Sequence, residues 1–339
     1  MAKDTMLAVV KERAESGVVI KQIPIPKPQA GELLIKVKLA SICGTDINIY
    51  DWNSWAQSHI KPPIVIGHEV VGEVLKINGD NPNKIKVGDW VSSETHIFCG
   101  KCYQCKIGNR HICENVQLFG IGRNGGFAQY ATIPNRTSWK NDRAIPLEAM
   151  SSQEPLGNAV HAVTKAGVEG KVVLVMGMGP VGLCAVAVAK AYKAKKVIAI
   201  NRGDYRRKLA KKMGADEVYD SLPKKYLNQI DVVLEMSGND IAIQTAFDAV
   251  RIAGTVIIFG IPKKDITLNF GKYFIDKEVT VKGVFGRQIW ETWHQVSELL
   301  VSGKVDLTKI ITHRFPLGDF EKAMAVMKSG ECGKVLLIP

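Results

Sequence analysis

Four cysteines crowd into fifteen positions, Cys99, Cys102, Cys105 and Cys113, within CGKCYQCKIGNRHIC. Chance seldom sets four of a chain's seven cysteines so close. Four soft thiolates at the spacing C-x2-C-x2-C-x7-C can wrap one tetrahedral ion and leave it no open position. That describes a structural site, with Zn²⁺ as the expected metal. Ferredoxin motifs share the C-x2-C-x2-C opening, but they continue with three residues and Cys-Pro, which this chain does not. Clustered thiols suit a reducing, cytoplasmic compartment, so metal binding is expected and a disulfide framework is not. The opening stretch MAKDTMLAVV lacks the long apolar run and small-residue cleavage site of a signal peptide.

The chain has two textures. Over the first 150 residues, Gly and Pro punctuate short alternating or apolar runs such as LLIKVKLAS, VVGEVLKI and FAQYATI. This predicts a β-rich unit with long functional loops. From Lys171 onward, apolar runs alternate with helix-length segments: VVLVMG before VGLCAVAVAKAYKA, VIAIN before DYRRKLAKKMGA, DVVLEMSG before IAIQTAFDAVRIA. Repeated β-α alternation predicts a doubly wound parallel sheet. The uncharged run Val172 to Ala189 could be read as a membrane span, but Gly177, Gly179, Pro180 and Gly182 inside it favour strand, turn and helix. The tail ends in helices and a strand, KVLLIP, and is too short to fold alone. It is expected to rejoin the first unit, making the α/β unit an insertion.

A net charge of +12 raises the question of nucleic acid. The lysines are scattered, with no block of five basic residues, so a solvated basic surface is the expectation. The expected partner is a small-molecule substrate, with neither nucleic acid nor membrane. An anionic cofactor fits the same charge.

Gly177-Met-Gly179-Pro-Val-Gly182 follows an apolar strand and opens a helix. This is the context in which G-x-G-x-x-G binds a dinucleotide: the glycines give a tight turn, let backbone approach a pyrophosphate and let helix pack on strand. The phosphates then rest on the helix N-terminus. The position that carries a ribose-binding acid in NAD enzymes is Asn201, followed by Arg202, with Arg206 and Arg207 a turn later. Without that carboxylate a 2′-phosphate meets no repulsion, and arginine pairs with it. NADP is therefore expected to be accepted and preferred.

Upstream lie Cys43-Gly44-Thr45-Asp46 and Gly67-His68-Glu69. Their S, N and O donors suit a catalytic zinc that keeps a fourth position open. Asp46 is placed to orient His68.

With these motifs in this order, and with Gly88-Asp89-x-Val91, the chain resembles the zinc-dependent medium-chain dehydrogenases along essentially its whole length. The resemblance implies a GroES-like catalytic domain (1–155, with the cysteine lobe at 94–116), a Rossmann domain (156–292) and a C-terminal segment (293–339) that rejoins the first. It implies a catalytic and a structural zinc, and a homotetramer or dimer. The segments CGTDINIYDWNSWAQ, HIFCGKC, QEPLGNAVHA, GRQIWETW and IITHRF are most similar to those of L-threonine 3-dehydrogenases. On that basis Cys43, His68 and Glu69 match catalytic-zinc ligands. Glu154 matches an alternate ligand or proton-transfer acid, and Thr45 the hydroxyl of a proton relay. His96 matches a histidine near the substrate, and Val181, Asn201, Arg206 and Phe259-Gly260-Ile261 match cofactor contacts. Arg287, grouped with the cofactor residues, is also a candidate with His96 for a substrate carboxylate. Trp52, Trp55, Trp290 and Trp293 are candidates for a pocket wall, or ordinary core aromatics.

Three departures stand out. Asn78 sits where the family has Gly or Ala, Asn48 replaces a relay histidine, and the ribose acid is missing. The implied reaction is oxidation of a secondary alcohol with NAD(P)⁺, L-threonine to 2-amino-3-oxobutanoate. A polyol or sugar dehydrogenase of the same family is the alternative. A non-enzymatic NADPH-binding redox sensor on nucleic acid is the remote one.

Overall fold

A computed structural model of the chain describes residues 4–339, which divide into two compact units, 4–154 with 311–339, and 155–310. Alternating apolar positions build the first unit. In the strand Glu32–Ser41, Leu33, Ile35 and Val37 point into the core while Lys36 faces outward. This strand pairs antiparallel with Glu69–Asn78, so that Ser41 lies opposite Glu69. It also pairs with Tyr130–Pro134 and with the C-terminal strand Lys334–Ile338, where Leu336 faces Ser41. Ile311–Pro316 runs parallel to that last strand, and Trp90–Ser93 and Ser138–Lys140 complete a seven-stranded sheet. A three-stranded sheet (Val19–Pro24, Thr5–Lys11, Ile64–Val65) packs through Val9 and Ile64 into the same core.

The second unit holds a six-stranded parallel sheet. Its strands are Val172–Met176, Lys196–Ile200, Glu217–Tyr219, Ile230–Glu235, Val250–Ile258 and Thr280–Gly283, in the order 3-2-1-4-5-6. The order reverses beside the first strand, which creates a crevice at the carboxyl ends of the first and fourth strands. Helices Pro180–Ala191, Asp204–Lys212 and Asp240–Ala249 connect the strands. Val172 to Ala189 is strand, turn and helix, and among the described residues no helix is long and apolar enough to cross a membrane.

One boundary needs correction. Residues 293–310 belong to the second unit, so the chain returns to the first at Ile311 and not at Trp293. The helix Glu291–Val301 buries Trp293, Val296 and Leu299, and the turn Leu307–Ile310 packs on the helices Pro180–Ala191 and Asp204–Lys212. Apolar burial thus ties this stretch to the second unit.

Candidate metal and cofactor sites

Two neighbouring strands end beside one another in the first unit and deliver the upstream motifs. Glu32–Ser41 runs through Ile42, whose N–H donates to the Val335 carbonyl (3.0 Å), into Cys43, the N-cap of helix Gly44–Asp51. The adjacent strand begins at Glu69, with Gly67 and His68 immediately before it. Gly67 has φ +93°, and a Cβ there would lie 2.1 Å from the Phe127 ring, so only glycine turns the chain at this point.

The result is a cluster in which a Cys43, a His68 and a Glu69 ligand atom all lie within 4.8 Å of one another. Asp46 Oδ2 accepts from the Cys43 N–H (2.8 Å), and Asp46 Oδ1 lies 3.7 Å from His68 Nδ1. Thr45 Oγ1 is 3.8 Å from Cys43 Sγ. Glu69 Oε2 accepts from Ser41 Oγ and from the buried Lys334 ammonium, while Glu69 Oε1 is buried with no hydrogen-bond partner. Burial works against a proton on His68, but the charges of Asp46 and Cys43 outweigh it and hold the imidazole up to about 10. Burial raises Asp46 to about 6, against the pull of His68. Lys334 is likewise pushed up: burial lowers it, and Glu69 and Cys43 overcome that. Glu154, buried at the start of helix Gln153–Ala166, is close enough for its charge to favour His68 and Lys334 in their protonated forms.

This pocket attracts a cation, and its S, N, O donor set together with the orphaned Glu69 oxygen fits zinc.

His96 stands on the short strand His96–Ile97, paired with Gln117–Leu118. Buried Glu94 Oε1 accepts from the His96 N–H (2.8 Å) and faces its Nδ1 at 2.9 Å, which favours the Nδ1–H tautomer. The hairpin lies beside the ligand loop: a Cβ on Gly120 would fall 2.3 Å from the Gly67 carbonyl oxygen. Asn48 is braced, its Oδ1 accepting from Asn53 Nδ2 (2.9 Å). Trp52 and Trp55 pack against the core of the first unit. Trp290 and Trp293 meet edge to face at 6.2 Å in the second.

The four-cysteine lobe is a second cluster, its sulfurs also within 4.8 Å of one another. Backbone N–H groups aim at the sulfurs: Cys99 N–H at Cys113 Sγ (3.2 Å), Lys101 and Cys102 N–H at Cys99 Sγ (both 3.4 Å). The Lys101 and Cys102 donors push the Cys99 thiol down to about 6. Burial pushes Cys105 up. Preformed N–H groups around thiolates suit a zinc site of four cysteine ligands.

In the second unit a cavity of about 320 Å³ opens at the carboxyl ends of the parallel strands, lined among others by Gly177, Asn201, Arg202, Asp220, Ser237 and Asn239. Asn201 Oδ1 accepts from the Met178 N–H (3.2 Å), so the residue in place of the ribose acid clamps the glycine turn. Arg207 Nη1 donates to the Asn201 and Arg202 carbonyls (2.9 and 2.6 Å). Arg202 is exposed on the cavity wall, whereas Val181, Arg206 and Phe259-Gly260-Ile261 stand off its lining. The Phe259 and Gly260 N–H groups instead donate to the Glu235 carbonyl. Arg287 is wholly buried, its Nη1 on Asn158 Oδ1 (2.8 Å) and its stem against Gly157. Sequence reasoning missed Asp220, Ser237 and Asn239, which follow the strands Glu217–Tyr219 and Ile230–Glu235 by one to four residues. It also missed Ser41, Lys334 and Glu94.

Gly182 Cα faces the glycine turn, where a Cβ would lie 1.9 Å from the Gly177 carbonyl oxygen. Gly182→Ala should therefore destabilise the second unit by about 1–3 kcal/mol and weaken cofactor binding, measured by thermal unfolding with and without NADP⁺.

Residues 29–143 match the model of the alcohol dehydrogenase GroES-like domain, and residues 180–302 match that of the zinc-binding dehydrogenase domain. The chain is 46% identical to an L-threonine 3-dehydrogenase of Pyrococcus horikoshii, covering 99% of each chain. It is 46% identical to one of Caldanaerobacter subterraneus, covering 98% of this chain and 99% of the relative. The fold matches a crystal structure of a Sinorhizobium meliloti protein, described as a zinc-binding dehydrogenase and bound to NADP, with a TM-score of 0.91 and 26% identity over 99% and 100% of the two chains. With a GroES-like unit, an inserted Rossmann unit and relatives of this similarity end to end, the chain belongs to the zinc-dependent medium-chain alcohol dehydrogenases and is an oxidoreductase that uses a nicotinamide cofactor.

Proposed function

We propose that the chain oxidises the β-hydroxyl of L-threonine to 2-amino-3-oxobutanoate, with NADP⁺ accepted and preferred over NAD⁺, and that it holds one zinc at Cys43, His68 and Glu69 and one in the cysteine lobe. The observation that carries this reading is the three-donor cluster, with His68 and Glu69 buried, Cys43 half-buried and Thr45 beside it, in a chain 46% identical to threonine dehydrogenases over its length. When bound, zinc and nicotinamide supply Lewis-acid stabilisation of charge on the substrate oxygen and a hydride acceptor. Cys43, His68 and Glu69 fix the metal, and Glu154 stands by as a further carboxylate. Thr45 Oγ1 accepts the proton leaving the substrate hydroxyl and passes its own on. Asn48 ends that line, because an amide whose Oδ1 is already bonded to Asn53 does not carry a proton onward. The proton therefore leaves through solvent or another hydroxyl. His96, held in one tautomer by Glu94, is assigned to the substrate side. The wholly buried Arg287 supports the second unit in this reading instead of meeting a carboxylate.

For the cofactor, Arg202 on the cavity wall supports recognition of a 2′-phosphate. Arg202→Ser should lower kcat/KM for NADP⁺ roughly 10- to 100-fold and leave NAD⁺ nearly unchanged. Parallel initial rates with the two cofactors check this; an equal loss with both would remove Arg202 from phosphate recognition. The assembly is assigned to a homo-oligomer, with the sheet-edge strand Thr280–Gly283 and exposed Ile275 and Phe285 as its contact region. Four thiols clustered at metal-ligand spacing fit a cytoplasmic setting.

The deciding assay offers the zinc-loaded protein L-threonine, glucose and sorbitol with each cofactor. Turnover of threonine supports the reading, while turnover of a sugar alone replaces it with the polyol alternative.

A further inference from the structure

One oxygen of Glu69 carries two partners that holding a metal does not require. Ser41 stands directly opposite Glu69 in the antiparallel register, and on the far side of Ser41 the C-terminal strand places Leu336 opposite it. Two residues before Leu336, Lys334 lies on the same face of that strand. Its wholly buried ammonium donates to Glu69 Oε2 and to the Ile42 carbonyl (3.0 Å). Ser41 Oγ also bonds Oε2. Oε1 is left buried and unbonded.

A carboxylate can grip a metal through one oxygen or through both. Here a metal reaching for Oε2 must compete with an ammonium that has no water to turn to, and breaking a buried ion pair strands both charges. On the reading of Cys43, His68 and Glu69 as the metal centre, we propose that Lys334 and Ser41 lock Glu69 into binding through Oε1 alone. The three protein ligands then occupy three positions, and the fourth stays open for the substrate oxygen. Lys334 and Ser41 act through Glu69 and are positioning residues.

The test places Co²⁺ in this centre of the full-length protein, with zinc kept in the cysteine lobe, and records metal content and visible absorption. Four-coordinate cobalt absorbs strongly and five-coordinate cobalt weakly. In Lys334→Met the visible bands should fall by roughly half as Glu69 takes up a second contact, with KM for the alcohol rising. Lys334→Arg, which keeps a cationic donor, should restore the bands. Ser41→Ala, the milder change should Lys334→Met not fold, should shift them the same way by less. A wild-type spectrum in folded Lys334→Met, or in Ser41→Ala alone where Lys334→Met does not fold, would overturn the proposal. So would loss of cobalt binding in a folded variant, because Lys334 would then be needed for the metal to bind at all. Wild-type protein that binds metal only in the cysteine lobe would overturn the metal-centre reading itself.

Discussion

Cys43→Ser should abolish turnover while leaving the fold intact. Cys43 supplies the one soft donor of the Cys43, His68 and Glu69 set. A serine hydroxyl stays protonated at neutral pH and binds zinc far more weakly than a thiolate. If zinc supplies several kcal/mol of charge stabilisation at the substrate oxygen, its loss lowers kcat/KM by roughly a thousandfold or more. Stability should barely move. Cys43 is half-buried at a helix N-cap, its N–H is already taken by Asp46, and serine is a favoured N-cap residue. Metal analysis should show one zinc lost per chain and the lobe zinc retained. The measurements are steady-state kinetics, zinc content and thermal unfolding on one preparation. Activity within tenfold of the parent (about 1.4 kcal/mol) would remove Cys43 from the chemistry.

Stripping zinc from the cysteine lobe should give the largest structural effect. Between Cys99 and Cys113 the regular structure is one turn of helix, Tyr103–Lys106, and the short turn Arg110–Ile112. Tyr103, Ile107 and Ile112 are exposed, so few apolar contacts hold the loop. The Arg110 and Arg136 guanidinium groups lie 5.2 and 5.3 Å from the Phe98 ring, contacts too weak to order fifteen residues. The metal must supply that order: structural zinc in small sites binds with roughly 10–16 kcal/mol, much of it spent on folding the ligand loop. Lys101 and Lys106 are already exposed, so chelation, or Cys105→Ser, should act by loosening the backbone around Lys101, Lys106 and Arg110, raising tryptic cleavage there by at least roughly a hundredfold. Cleavage in the Rossmann unit should stay unchanged. Equal cleavage with and without chelator would mean that the lobe folds without metal.

Legibility in the sequence followed contact range. The cysteine lobe and the glycine turn are local: their ligands or N–H groups lie within a few residues, so spacing alone carries the geometry. Cys43 and the His68-Glu69 pair were legible as donor types, but only the antiparallel pairing of their strands brings them together. The alternation of strand and helix after Lys171 was legible for the same reason, since each βαβ unit is built from neighbouring segments. The departure at Asn201 was visible as a missing acid. That its amide closes the glycine turn on Met178 was not, because two strand ends must first lie side by side.

The sequence by itself determined which residues have the chemistry to hold metal and which segments form strands and helices, because those properties rest on residue type and short periodicity. The tertiary structure decided which of them meet. Sheet register sets Ser41 against Glu69, and a strand 292 positions away delivers Lys334 to the Ile42 carbonyl. Apolar burial holds the helix Glu291–Val301 in the second unit and encloses Arg287 against Asn158. Such contacts depend on how apolar surface is shared among distant elements, and no local pattern in the chain records that.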